Sequence, residues 1–123
     1  MFEYLAAVER IIDGDTLVAR LDLGCHVSVV QPLRLLGINT PERKDKVAWA
    51  AAGKFLGSLC YGHEKLIVRT VKDSTEKYGR YLAVLFAGDD PVSFNQKMVD
   101  AGHAVPYMTI PQRAAPVDAI TRL

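Results

Sequence analysis

The hydrophobic and polar positions of the first forty residues predict β-strands. The run LAAVERII leads into an Asp-Gly dipeptide, a strong hairpin signal, and the following TLVARLDL alternates apolar and polar residues. A third apolar run covers residues 26–38 and contains Pro32, which favours an edge position or a bulge because proline donates no ladder hydrogen bond. Gly37 is expected to mark a bend. The pattern therefore predicts a hairpin followed by a third strand.

A change of hydrophobic period predicts an amphipathic helix from about Asp45 to Cys60. Apolar residues recur there every four positions instead of every two. Gly62 is placed to help end this helix. The expected apolar positions are Val47, Ala51, Phe55 and Leu59, with Ala48, Ala52 and Leu56 alongside.

The second half of the chain predicts two more strands and a short helix. The runs LIVRTV and YLAVLFA read as strands joined by a polar connection. Ser93 can cap a short helix that ends near Gly102. The tail after Tyr107 contains prolines and is compatible with either a last helix or a loose end.

The order of elements is three strands, a helix, two strands and a helix. This is the element order of an OB-type barrel, a common nucleic-acid-binding fold. We therefore predict a mainly β, α+β fold: a five-stranded OB-fold barrel with a helix between strands 3 and 4 and one or two C-terminal helices. The length of 123 residues fits a single domain over residues 1–123.

The formal net charge of +1 argues against a protein that binds polyanions by bulk charge. The charge is nevertheless unevenly placed, since residues 1–42 carry a net −3, residues 43–80 a net +5 and residues 81–123 a net −1. A cation-binding cluster beside a phosphate-binding wall would give this distribution. Ordinary fluctuation of charge along a chain would give it as well.

The sequence shows no pattern typical of a zinc site, a disulfide framework, a signal peptide or a membrane span. Cys25 and Cys60 have neither a CxxC nor a Cys/His spacing, so we expect reduced, packed thiols and no zinc site or disulfide framework. The N-terminus lacks the pattern of a signal peptide, and no charge-free stretch is long enough to span a bilayer. We expect a cytoplasmic protein, although export from a longer precursor stays open. No obligate protein partner is indicated.

Two motifs in the first half of the chain contain candidate functional residues. IIDGDTL places Asp13 and Asp15 on either side of a turn glycine, which is also the pattern of a plain hairpin turn. RLLGINTPER places Arg34 inside an apolar strand, where a guanidinium needs a carboxylate or a bound phosphate as partner. In the same motif, Thr40 and Pro41 could instead start a helix.

Two further motifs lie in the second half. EKYGRYLA gathers Lys77, Tyr78 and Arg80 around a turn glycine, and these side chains suit phosphate recognition, although an ordinary solvated loop has the same composition. The tail segment AGHAVPY contains His103 and Tyr107. A lone histidine in such a segment is more often structural, so we assign His103 no catalytic role.

Taken together, these motifs resemble a known family. In order and spacing, IIDGDTL, RLLGINTPE, KYGRYLAVL and SFNQKMVDAGHAVPY are similar to the corresponding stretches of the staphylococcal nuclease (thermonuclease) family, from residue 6 to about residue 107. The resemblance implies an OB-fold nuclease that uses one calcium ion, Ca²⁺, to hydrolyse phosphodiester bonds in DNA and RNA.

The resemblance implies a metal site and a water-positioning group. Asp15 matches the first metal-binding aspartate, Thr40 the residue whose backbone carbonyl binds the metal, and Glu42 the glutamate near the attacking water. Asn39 stands where the family's staphylococcal member has a second metal-binding aspartate. Asparagine keeps an oxygen ligand but removes one negative charge, which predicts weaker calcium binding or greater reliance on the substrate phosphate.

The resemblance also implies phosphate and nucleotide contacts. Arg34 and Arg80 match the two phosphate-binding arginines, which would stabilise charge as it develops on the phosphoryl oxygens. Lys77 and Tyr78 match nucleotide-phosphate contacts. Tyr107 falls about one residue away from a tyrosine that contacts base and sugar.

Three functions are compatible with this sequence. The first is a calcium-dependent nuclease, favoured by the joint presence of Asp15, Arg34, Glu42 and Arg80. The second is a catalytically weak OB-fold module that binds single-stranded nucleic acid, favoured by Asn39. The third, an ordinary domain for protein interaction, leaves the arginine in the apolar strand unexplained.

Overall fold

Seven strands and two helices form within residues 2–75, 80–107 and 110, which are the residues described by the structure, a computed structural model. For residues 72–75 only the backbone is described. The elements are β1 (Phe2–Asp13), β2 (Thr16–Gly24), β3 (Val27–Leu35), β4 (Ile38–Asn39), α1 (Lys46–Tyr61), β5 (Leu66–Thr75), β6 (Tyr81–Phe86), α2 (Phe94–Asp100) and β7 (Val105–Pro106).

Five of the strands close into a barrel in the order β1-β2-β3-β6-β5, and β5 pairs back onto β1. The β3–β6 pair is parallel, whereas the other four barrel pairs are antiparallel. Strands β4 and β7 form a separate two-stranded ladder. Helix α1 lies between the third and fourth barrel strands in chain order, which confirms the OB-fold prediction.

The alternation along the strands places one face of each strand in the barrel interior. On β2, Leu17, Ala19 and Leu21 are buried in the main core, whereas Arg20 between them is exposed. Pro32 pairs with β2 only, because the β3–β6 ladder begins at the next residue. The expected edge position of this proline is confirmed.

Helix α1 is rotated relative to the prediction. It begins after Asp45, whose side chain accepts a hydrogen bond from the backbone N–H of Ala48 at 3.3 Å. The helix thus starts well after Thr40, so the alternative of a helix start at that threonine is wrong. Ala52 and Leu56 are fully buried, as expected, together with Cys60, and Phe55 and Leu59 pack against the core from the edge of this face. Val47, at the head of the expected apolar stripe, is instead 83% exposed.

Helix α2 packs against the barrel, and Asn95 joins the two. Ser93 caps the helix by accepting a hydrogen bond from the N–H of Gln96 at 3.0 Å, as predicted. The fully buried Asn95 amide donates to the carbonyls of Leu36 and Ala83 at 2.9 and 3.1 Å. Its oxygen accepts from the N–H of Leu85 in β6 at 3.3 Å, so this one side chain links the residue that follows β3 to β6.

Gly102 follows α2 with a φ of +81°, a left-handed conformation that glycine adopts without strain. None of the helices in the described ranges is long and apolar enough to cross a membrane. The predicted alternatives for the tail after Tyr107 lie outside the described residues, apart from the buried Ile110.

Candidate active site

The turn between β1 and β2 lies directly against helix α1. A Cβ atom added to Gly14 would lie 2.7 Å from the Cβ of Ala52 and 3.2 Å from the Cβ of Thr40, distances at which the backbone would have to move. Glycine is therefore required at the centre of the Asp-Gly-Asp turn for packing. The close approach holds Asp15 beside both the helix and the residue 40 segment.

Arg34 of β3 binds the carboxylate of Asp15. The two residues come together because Thr16, the neighbour of Asp15, pairs with Arg34 across the β2–β3 ladder. The Nη1 of Arg34 lies 2.5 Å from Oδ2 of Asp15, and the two side chains are only 17% and 13% exposed. The acidic partner required by an arginine in an apolar strand is therefore Asp15.

Arg34 also reaches the strand that follows it. Its Nη2 donates hydrogen bonds to the Asn39 amide oxygen at 2.8 Å and to the backbone carbonyl of Ile38 at 3.2 Å. Its Nη1 is buried and, despite the ion pair, has no aligned hydrogen-bond acceptor among the described residues. The Asp15 carboxylate, 2.5 Å from Nη1, is the charged partner of this buried nitrogen.

Arg80 joins the same group through the hydroxyl of Thr16. Its Nη1 donates to Oγ1 of Thr16 at 3.0 Å, and that hydroxyl in turn donates to Oδ1 of Asp15 at 3.0 Å. Thr16 is buried and was not identified from the sequence, since its role depends on strands that meet only in the folded barrel. The resulting arginine network consists of Arg80, Thr16, Asp15, Arg34 and Asn39.

The arginine network contains two guanidinium groups and one carboxylate. Because Asn39 is neutral, the formal charge within this group of five side chains is +1. Arginine presents its donors in a planar fork that matches phosphate and carboxylate geometry. The arrangement is therefore suited to hold one further anionic group, such as a phosphate.

Glu42 lies apart from the arginine network. Its side chain is 75% exposed, and its carboxylate lies 3.3 Å from the ammonium of Lys44. Its backbone carbonyl accepts a hydrogen bond from the N–H of Asp45 at 3.0 Å. Within the described ranges, no contact joins the Glu42 carboxylate to Asp15 or Arg34.

A second charged cluster lies next to the turn. The indole Nε1 of Trp49 donates to Oδ1 of Asp13 at 2.5 Å, and the Arg43 guanidinium lies 5.2 Å from the centroid of the indole ring. The Nε of Arg43 is 3.9 Å from the same carboxylate oxygen. Sequence reasoning missed Trp49, because 36 residues separate it from Asp13 and its helical position carries no polar signal.

The residues expected to bind calcium offer oxygen atoms as ligands, which is the atom type that suits this ion. Asp15 and Asn39 present side-chain oxygens that converge on one cationic group, the Arg34 guanidinium, and Thr40 packs beside the same turn. Oxygen donors are those that calcium prefers, although this set contains a single carboxylate. Among the described residues, no three His, Cys, Asp or Glu side chains are grouped as a metal site.

The other residues singled out in the sequence lie partly inside and partly outside the described residues. Lys77 and Tyr78 lie outside the described residues. The N–H of Tyr107 donates to the carbonyl of Gly37 at 2.9 Å, which holds its backbone against the β3–β4 turn, and its side chain is 47% exposed. The ring of His103 packs 4.8 Å from that of Phe55, a contact compatible with a structural role.

The two cysteines have different environments. Cys60 is buried in the core, as expected for a packed thiol, whereas Cys25 is exposed, so the expectation of a packed thiol is wrong for Cys25. Burial raises the pKa of the Cys60 thiol to about 12.

The closed five-stranded barrel places this chain among the OB-fold proteins, with a cluster of charged groups beside its first turn. It belongs to the staphylococcal nuclease family: the profile described as "Staphylococcal nuclease homologue" matches residues 32–122. This is a nuclease-like family.

Two curated proteins are similar to the chain. A thermonuclease of Staphylococcus intermedius is 31% identical over 101 residues, which cover 79% of this chain and 56% of that protein. An uncharacterized protein of Methanocaldococcus jannaschii is 25% identical over 130 residues, covering 86% of this chain and 60% of that protein. The chain thus spans little more than half the length of these relatives.

Proposed function

We propose that the chain is a calcium-dependent nuclease that hydrolyses phosphodiester bonds in DNA, RNA or both. The observation that carries the proposal is the arginine network, in which Arg34 of β3 and Arg80, which immediately precedes β6, converge on Asp15 through contacts of 2.5 to 3.0 Å. Family membership supports the same assignment. The similar protein of Staphylococcus intermedius is a thermonuclease, which adds to that support.

The two arginines would bind the scissile phosphate. Attack on a phosphodiester builds negative charge on the phosphoryl oxygens, and guanidinium groups already in position stabilise that charge without reorganisation. Arg34 lies on β3, and Arg80 immediately precedes β6, the strand that pairs with β3 in the barrel. Both are anchored through Asp15, so their separation is set before substrate arrives.

Glu42 would orient the attacking water or accept its proton. Its carboxylate is exposed and therefore accessible to water, in contrast to that of Asp15. Asp15, Asn39 and the carbonyl of Thr40 would hold calcium. When bound, calcium supplies an additional positive charge for the developing negative charge of the phosphate.

The test is cleavage of single-stranded DNA during a calcium titration, compared with the same reaction in excess chelator. We expect cleavage that rises with calcium and stops when the ion is removed. The Asn39→Asp variant should reach half-maximal rate at a lower calcium concentration, on the order of tenfold, because a carboxylate replaces a neutral ligand. Equal cleavage with and without calcium, or none at any concentration, would exclude the proposed function.

The second candidate is a catalytically weak OB-fold module that binds single-stranded nucleic acid. Asn39 favours it, since this neutral residue leaves Asp15 as the only carboxylate of the arginine network and Arg34 already pairs with it. Binding of single-stranded DNA without turnover would support this candidate. Gain of turnover in Asn39→Asp would identify position 39 as the cause.

A further inference from the structure

We propose that Asp13, Arg43 and Trp49, which we call the indole clamp, position the segment of residues 40–45 that carries Glu42. The consequence for catalysis rests on the proposed nuclease function. In this scheme Trp49 is a positioning residue, since it acts on the reaction through the segment and not by contact with substrate.

The indole clamp joins three separate parts of the fold. Asp13 ends β1, Trp49 lies in the first turns of α1, and Arg43 belongs to the connection between β4 and α1. A single carboxylate oxygen of Asp13 accepts the indole hydrogen bond at 2.5 Å and lies 3.9 Å from Arg43. The guanidinium also lies over the indole ring at 5.2 Å. Each member of the clamp therefore contacts both of the others.

Glu42 has no other side-chain anchor to the barrel among the described residues. Its partner Lys44 belongs to the same segment and is 85% exposed, so this ion pair cannot fix the segment to the fold. The hydrogen bond from the N–H of Asp45 to the Glu42 carbonyl joins two residues of this segment and does not attach the segment to the barrel. Of residues 42–44, only Arg43 contacts a barrel strand through its side chain, and that contact is to Asp13.

The clamp is separable from the packing of the helix. Helix α1 is anchored by Ala52, Leu56 and Cys60 in the main core, whereas Trp49 is only half-buried. Replacing Trp49 by Phe removes the N–H donor but keeps an aromatic ring beneath Arg43. Trp49→Phe should therefore fold normally, and the segment of residues 40–45 should lose the hydrogen bond of the clamp but keep the contact between Arg43 and an aromatic ring.

The first experiment measures steady-state cleavage of single-stranded DNA by Trp49→Phe. We expect kcat to fall about tenfold while KM stays within about twofold, because misplacement of a water-positioning group slows the chemical step and leaves the phosphate contacts intact. Val47→Ala is the matched control, since this residue lies in the first turn of the same helix and is 83% exposed. A wild-type kcat in Trp49→Phe, or a KM defect alone, would overturn the proposal.

The second experiment compares two replacements of Asp13. Asn keeps an oxygen that can accept the indole hydrogen bond, whereas Ala removes it. Trp49 is the only tryptophan in the chain, so its indole N–H gives one NMR resonance. We expect Asp13→Ala to shift this resonance upfield and to lose more of kcat than Asp13→Asn. Equal shifts and equal rates in the two variants would contradict the clamp.

The third experiment does not depend on activity. Hydrogen exchange of the Asp45 amide reports the turn that contains Glu42, and we expect its exchange to quicken several-fold in Trp49→Phe but not in Val47→Ala. Unchanged exchange in Trp49→Phe would overturn the clamp even if the chain is a nuclease. Absence of cleavage by the wild-type chain would instead overturn the proposed function, so the two failures are distinguishable.

Discussion

The Arg34 guanidinium and the Asp15 carboxylate lie 2.5 Å apart in a site where both side chains are more than four-fifths buried. The pair is formed by the β2–β3 ladder, which sets Thr16 opposite Arg34 and so brings the preceding aspartate within reach. Because Arg34 also holds Asn39, this pair links the first turn of the barrel to β4. It is the centre of the arginine network.

The Asp15–Arg34 pair should be strongly coupled in stability. A double-mutant cycle with Asp15→Ala and Arg34→Ala is expected to give a coupling free energy of about 2 to 3 kcal/mol, because either single change leaves a buried charge without its partner. The exposed Glu9–Arg20 pair, at 3.4 Å, is the control and should give less than about 0.5 kcal/mol. Urea unfolding measures both values, and similar couplings would contradict this view of the site.

Loss of Arg80 should slow catalysis more than it weakens folding. For Arg80→Ala we expect kcat to fall by about 10² to 10³, the range typical of removing one donor to the transition-state charge. Arg20→Ala removes an equal charge from an exposed position and should leave kcat unchanged. The check is initial cleavage rate at saturating single-stranded DNA, and equal rates for the two variants would remove Arg80 from the mechanism.

Gly14 and Gly53 should respond oppositely to replacement by alanine. Gly14→Ala places a Cβ 2.7 Å from Ala52, so the turn must move away from α1, and we expect a loss of about 1 to 3 kcal/mol in the free energy of unfolding. Gly53 lies in α1 with no atom within 4 Å of an added Cβ. There, alanine should stabilise by about 0.5 to 1 kcal/mol because it is the better helix former. Thermal and urea unfolding of both variants test the contrast.

Asn95 should be essential for stability without any part in the chemistry. In Asn95→Ala, the Leu36 carbonyl and the Leu85 N–H lose their amide partner in a buried environment, which should cost about 3 kcal/mol. The neighbouring Gln96 pairs with Asp100 on the surface, and Gln96→Ala should change stability by less than about 0.5 kcal/mol. An equally small effect in both variants, measured by urea unfolding, would refute the buried bridge.

Stability should fall in alkaline solution because of Cys60. Burial raises the pKa of its thiol to about 12, whereas an unfolded chain has a thiol pKa of about 8.5. The unfolded chain therefore releases the thiol proton at a lower pH than the folded chain does. The stabilisation of the folded state by the neutral thiol is complete below about pH 8.5 and is lost as the pH rises from there towards 12. At pH 10, the loss in the free energy of unfolding that is due to Cys60 should be about 2 kcal/mol.

The measurement for Cys60 is urea unfolding at pH 7.5 and pH 10. Wild type should lose more stability between these values than Cys60→Ala, which lacks the titrating group. Cys25→Ala is the control because this thiol is exposed, and it should follow wild type. The same environments predict that a thiol reagent at pH 8 modifies Cys25 and spares Cys60 in the folded chain. An identical pH response in wild type and Cys60→Ala would show that the buried thiol contributes nothing.

The sequence by itself determined the elements of this fold and the chemical types in its site. Apolar alternation, the Asp-Gly turn and the Ser93 cap are local signals, because strand and helix period and capping depend on neighbouring residues. They were sufficient to order the elements as an OB barrel. The position of Arg34 inside an apolar strand likewise predicted that its guanidinium requires an acidic or phosphate partner.

Only the tertiary structure decided which of these groups meet. Barrel closure joins Arg80 to Thr16 across 64 positions, and the rotation of α1 turns Trp49 towards Asp13 and Val47 towards solvent. Hydrophobic period gives a helix an apolar stripe but does not fix which edge of the stripe faces the core. In this chain the buried edge is the one on which Ala52 packs against Gly14. Contacts between distant side chains depend on strand register and helix rotation, which local pattern does not encode.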